Sequence, residues 1–192
     1  MINYKNVRDA AWLFLLNNNV CRLPLDIEQI VAQNDWVLLL YEENIKVANA
    51  LLKGRQDTWQ DGITCVYKGF KFIIYRKFTN LGRWRFTIAH EFGHITLLHL
   101  NKLSNEEYER EANMFAARVL MPMCVIKECK AYTAVTIASL CGVSLTAATF
   151  RAERLQMLLK RNKFYTSALE VKLVKQFKMF IKEYLEVKNG FI

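Results

Sequence analysis

Apolar positions along this chain recur at two spacings, and the changes of spacing mark its elements. Residues 5–19 carry apolar side chains at helical spacing and predict an amphipathic helix, and Pro24 to Gln33 predict a second, shorter one. Trp36–Tyr41, Ala48–Lys53 and Gly62–Tyr67 are short apolar runs that predict strands. Phe70–Tyr75 follows after Lys68-Gly69, a hairpin turn signal. Helical spacing returns over residues 85–99, RFTIAHEFGHITLLH, where Phe86, Ile88, Ala89, Phe92, Ile95, Leu97 and Leu98 are apolar. Ser104-Asn105-Glu106-Glu107 has the form of a capping box, and the helix it opens should run until Met121-Pro122 stops it.

After Pro122 the pattern is wholly helical. Residues 134–160 resemble a helix-turn-helix unit, with Gly142 at the turn and Ser144 capping the second helix. Ser167-Ala168-Leu169-Glu170 is another capping box. It predicts a basic amphipathic helix over 167–188, with Leu169, Leu173, Phe177, Phe180, Ile181 and Leu185 along one side. The pattern predicts an α+β protein: residues 1–125 hold a helix packed on a short antiparallel sheet, and residues 126–192 form an all-helical region.

Polar residues inside the apolar run 85–99 change this picture. His90-Glu91-Phe92-Gly93-His94 is an HExxH motif. On a helix these three polar positions fall at about 0°, 100° and 40°, so both imidazoles face one point with the carboxylate beside it. That is the layout of two metal ligands and a general base acting on water. Histidines and a glutamate in so apolar a helix are costly unless paired or metal-bound.

The third ligand is open between several residues. A metzincin motif would need a glycine at Leu97, and His99 comes one residue too early for it. If the helix continued, His99 would point about 140° away from His94, so its expected role is to cap the helix end or pack locally. A carboxylate from the next helix is favoured. Glu109 shares a face with Ala112, Asn113, Ala116 and Leu120, whose small members let that helix come close to another backbone. Glu111 lies at the edge of the apolar arc, and Glu106 and Glu107 read as solvated charges. Asn113, beside the ligand face, is a candidate to orient an imidazole or Glu109. Arg83 and Arg85 read as structural ion-pair partners, and Tyr75 is one candidate to hold a developing oxyanion.

RFTIAHEFGHITLLH, then Glu109 to Ala116 as E-x-x-A-N-x-F-A, then Leu120-Met121-Pro122, resembles the ImmA/IrrE family of zinc metallopeptidases. The stretch from Asp61-Gly62 to Gly82-Arg83 fits that family's β-hairpin lead-in, and the resemblance covers roughly residues 10–125. It implies a small zincin-like, gluzincin-type fold with zinc as cofactor. It further implies His90, His94 and Glu109 as ligands and Glu91 as base. The implied partner is a protein substrate, a helix-turn-helix repressor of a mobile element or stress regulon, cut at one site. Other members are described more as regulators, so a DNA-binding or partner-binding transcription regulator with a structural or vestigial metal site is the alternative.

Composition narrows the setting. Of 192 residues, 53% are hydrophobic, ample for a core. Five cysteines, an odd set with no CxxC pair, point to reduced thiols and a cytoplasmic protein rather than a disulfide framework. No apolar stretch reaches the length of a membrane span, and residues 10–16 lack the cleavage site of a secretion signal. The net charge is +9, and from Arg151 onward ten Lys/Arg face four Asp/Glu. That basic end could meet nucleic acid or an acidic partner, although Leu145-Thr146-Ala147-Ala148 is poor in base-reading groups. Nucleic acid is therefore a possible partner but not the favoured one.

Overall fold

A computed structural model describes residues 3–53, 61–99 and 106–190 of the chain. Helix α1 (Tyr4–Asn17) is capped by the Asn3 side chain, and α2 (Ile27–Gln33) by that of Asp26. Strand β1 (Trp36–Leu40) leads through a 3-10 turn into α3 (Ile45–Leu52). The hairpin β2 (Gly62–Tyr67) and β3 (Phe70–Tyr75) turns at Lys68-Gly69, both at positive φ. Then come α4 (Leu81–Thr96) and α5 (Glu106–Leu120), followed by α6 (Met123–Glu128), α7 (Ala134–Cys141), α8 (Leu145–Lys160), α9 (Ala168–Gln176) and α10 (Lys178–Lys188). The α+β class is as expected. The capping box expected at Ser104-Asn105 lies outside the described residues.

Three local expectations are corrected. Residues 48–53 are not a strand: 48–52 belong to α3, which Lys53 ends, and Ala48 and Leu52, four apart, are fully buried on one face. A run this short suits either period, and the burial of i and i+4 together selects the helix. The sheet is mixed rather than antiparallel throughout. Its order is β1-β3-β2, with β1 parallel and β2 antiparallel to β3. The helix expected over 167–188 is broken at Phe177, which is fully buried. A periodic pattern carries no mark of such a break, because Leu173, Phe177 and Phe180 reach the core on both sides of it.

One hydrophobic cluster gathers residues from Val7 to Phe180. Its centre is aromatic, with Phe14 against Phe92 at 5.4 Å and Phe115 at 5.3 Å, and Trp36 against Phe92 at 5.1 Å. Burying the three phenylalanines, with Trp36 half-buried against them, supplies several kcal/mol of apolar stabilisation at about 25 cal/mol per Å². Phe92 belongs to α4 and Phe115 to α5, so this packing fixes the two helices against each other. They approach closely where both are small: a Cβ added at Gly93 would lie 3.0 Å from the Ala112 Cα.

Candidate active site

The close approach of α4 and α5 sets the geometry of the polar residues they carry. His90 and His94, one turn apart, turn their Nε2 atoms to within 2.9 Å of each other. The Glu109 carboxylate reaches over from α5, with its oxygens 3.2 Å from His90 Nε2 and 3.5 Å from His94 Nε2. A tetrahedral ion with bonds of about 2.0–2.1 Å separates its ligands by about 3.3 Å. The three donors have that spacing, and two imidazoles with one carboxylate are a donor set suited to zinc.

Glu91 differs from Glu109 in burial and in its partners. It is buried at 4% exposure, whereas the Glu109 side chain is 45% exposed. The Thr64 hydroxyl on β2 donates to Glu91 Oε2 at 2.8 Å. Burial pushes the Glu91 carboxyl up to about 7; the bond from Thr64 works against this and the charge on Glu109 adds to it. His90, Glu91 and His94 form a compact group able to hold a metal, and Glu109 faces the two imidazoles from the other helix. Of the two carboxylates, Glu109 straddles both ring nitrogens while Glu91 is held back by Thr64. On geometry the former suits a ligand and the latter a base.

Both imidazoles are also held from behind. His90 Nδ1 lies 2.9 Å from Asn113 Oδ1, so of the two partners open to Asn113, an imidazole or Glu109, the described contact is with an imidazole. His94 Nδ1 lies 3.2 Å from His99 Nδ1. Burial, and then the neighbouring His90, lower the His94 pKa to about 4, against the opposing pull of Glu109. His94 is therefore a neutral imidazole near pH 7, with a lone pair to offer. Arg83 forms a two-pronged ion pair with Asp61, and Arg85 donates to the Leu25 carbonyl at 2.6 Å, with no ion pair to an acid among the described residues. Tyr75 packs against Trp84, nearly two turns ahead of His90, and no described contact brings it to the imidazoles.

The profile of the IrrE N-terminal-like domain family matches residues 44–153. The chain belongs to this family. Membership supports a metallopeptidase function, and the IrrE N-terminal-like match runs past residue 125 into α8, further than the resemblance in sequence. The comparison with curated proteins returns no match. No single described helix of this family member is long and apolar enough to cross a membrane.

Sequence reasoning passed over Thr64 and the contact of His99 with His94. Thr64 sits 27 residues before Glu91 in a strand, with no motif to join them. His99 does close the helix end and pack locally, as expected: α4 stops at Thr96 and Leu98 takes a left-handed φ of 59°, but which groups its ring would meet was not readable. Two bonds, His99 N–H to the His94 carbonyl at 2.9 Å and Leu98 N–H to the Ile95 carbonyl at 3.3 Å, close a Schellman turn. The turn folds His99 back beneath the helix.

Proposed function

We propose that this protein is a zinc-dependent endopeptidase with His90, His94 and Glu109 as metal ligands, Glu91 as general base and Asn113 as the group that orients His90. The observation that carries the reading is the convergence of two Nε2 atoms and the Glu109 carboxylate, at 2.9, 3.2 and 3.5 Å, beside a buried glutamate. Zinc bound there supplies Lewis acidity to water and to a peptide carbonyl. Glu91, held beside the two imidazoles by Thr64, takes a proton from the attacking water and passes it to the departing amine. Asn113 Oδ1 accepts from His90 Nδ1–H, which leaves Nε2 as the donor atom.

Strand β2 lies at an end of the sheet order and touches α4 through Thr64 and Glu91. An extended peptide added along β2 would run past Glu91. The substrate we propose is a helix-turn-helix repressor of a mobile element or stress regulon, met in the cytoplasm. A nucleic-acid role is less well supported. The first exposed positions of α8 are Leu145, Thr146, Thr149 and Phe150, with Phe150 68% exposed, and none of these reads base edges by a bidentate contact.

The test is incubation of the wild type and Glu91→Gln with the repressor encoded beside its gene, read by intact mass with bound zinc measured in parallel. The expected result is one cut by the wild type and none by the variant, with zinc retained in both. Equal cutting by the variant would remove Glu91 as base. No cut by either, with salt-sensitive duplex binding in a gel shift, would favour the regulator.

A further inference from the structure

His99 is not a metal ligand by position, yet it is buried, with a side chain only 4% exposed. It stacks on Tyr108 at 4.5 Å between ring centroids and 23° between planes. Its two ring nitrogens face different groups: Nδ1 lies 3.2 Å from His94 Nδ1, and Nε2 lies 3.2 Å from Glu111 Oε2. Glu111 belongs to α5, the helix that also carries Glu109 and Asn113.

We infer that His99, anchored by Glu111, is a positioning residue that fixes the tautomer and ring angle of His94 and so raises the affinity of the site for zinc. The inference rests on the reading of His94 as a ligand through Nε2. Proton placement then follows without choice. If His94 Nε2 offers its lone pair to the metal, the ring proton sits on Nδ1 and donates to His99 Nδ1. That nitrogen must be the unprotonated one, so the His99 proton is on Nε2, where the Glu111 carboxylate accepts it. The chain of donors runs one way, from His94 through His99 to Glu111. It matches the way Asn113 holds His90, except that an imidazole with a carboxylate behind it replaces a single amide. Each ligand imidazole thus has its back nitrogen held, and partners of this kind are worth about 10–100-fold in metal affinity. The Schellman turn at Leu98 brings His99 to this place, since a straight continuation would turn it away.

The experiment is zinc affinity by competition with a chromophoric chelator, with the melting temperature of each metal-free protein measured alongside. His99→Phe keeps a ring to stack on Tyr108 and loses both nitrogens. His99→Asn keeps an acceptor near the Nδ1 position, facing His94; His99→Gln reaches the Nε2 position, facing Glu111. The expected result is a loss of about 10–100-fold in zinc affinity for the Phe and Gln variants, with the Asn variant within a few-fold of wild type. His99→Phe binding zinc as tightly as wild type would overturn the inference. So would an Asn variant as weak as Phe, or losses that simply follow the metal-free melting temperatures. A wild type that fails to bind one zinc per chain, or a His94→Ala variant that binds it fully, would overturn instead the metallopeptidase reading beneath it.

Discussion

Leu98 occupies the left-handed region at φ 59°, with its side chain 73% exposed, where a non-glycine residue pays roughly 1 kcal/mol. Leu98→Gly should therefore leave the turn intact and raise stability by about 0.5–1 kcal/mol in urea denaturation; a loss would mean that the leucine side chain contributes contacts that outweigh the strain. Glu91 carries the opposite kind of strain. In the metal-free protein its carboxyl titrates at about 7 against an ordinary 4.5, so between these values the folded state holds a proton that the unfolded state has released. This group's contribution is most favourable below about 4.5 and is lost as pH rises through 7. Metal-free Glu91→Gln should thus be more stable than metal-free wild type at pH 8, by up to about 3 kcal/mol, with the difference shrinking toward pH 4. Equal stability at both pH values would show that the buried carboxylate is not under this penalty. At this scale much of the site was legible: HExxH announces itself, and the small-residue face singled out Glu109 and Asn113. Thr64 was not, because a hydroxyl in a distant strand leaves no periodic trace.

Elements were legible where their pattern was long. The helices carrying His90 and Glu109 each span about four turns; Met121-Pro122 marked the stop of α5, whereas α4 runs over Leu81–Thr96 rather than 85–99, its start set by the unforeseen Asn80 cap. Segments of five to eight residues were the weak point, as α3 shows, because so short an apolar run fits either period. The parallel pairing of β1 with β3 was invisible for another reason: it depends on α3 crossing between non-neighbouring strands, which local sequence does not encode. The meeting of α4 and α5 makes a sharp prediction. Gly93→Ala would put a Cβ 3.0 Å from the Ala112 Cα and 3.2 Å from its carbonyl oxygen, both backbone atoms. The gain in helix propensity, up to about 1 kcal/mol, is offset by overpacking of about 1–3 kcal/mol. Net destabilisation is expected, with zinc affinity falling as Glu109 is pushed away from the imidazoles. A more stable variant with unchanged zinc binding would show that the two helices can separate freely.

Across the whole molecule, the late helices are built into the same core as the site. Phe177 is fully buried in the cluster that contains Phe92 and Phe115, and Gln176 Nε2 donates to the carbonyls of Leu15 at 3.0 Å and Val20 at 2.7 Å, past the end of α1. Phe177→Ala should cost about 3–5 kcal/mol, and zinc release and loss of helix signal should still coincide on denaturation. Separate transitions would show that the C-terminal helices unfold on their own. The same link between α1 and α9 joins residues 161 positions apart in the chain. At about 5–20 residues per second of synthesis, α1 waits on the order of ten seconds or more for α9 to be made. During that wait Phe14 and Leu15 have none of their late partners, and the apolar surface that α9 covers stays open to water. The imidazoles and Glu109 emerge well before α9, so a stalled ribosome would carry the complete HExxH motif and Glu109 in a core that still lacks Leu173, Phe177 and Phe180.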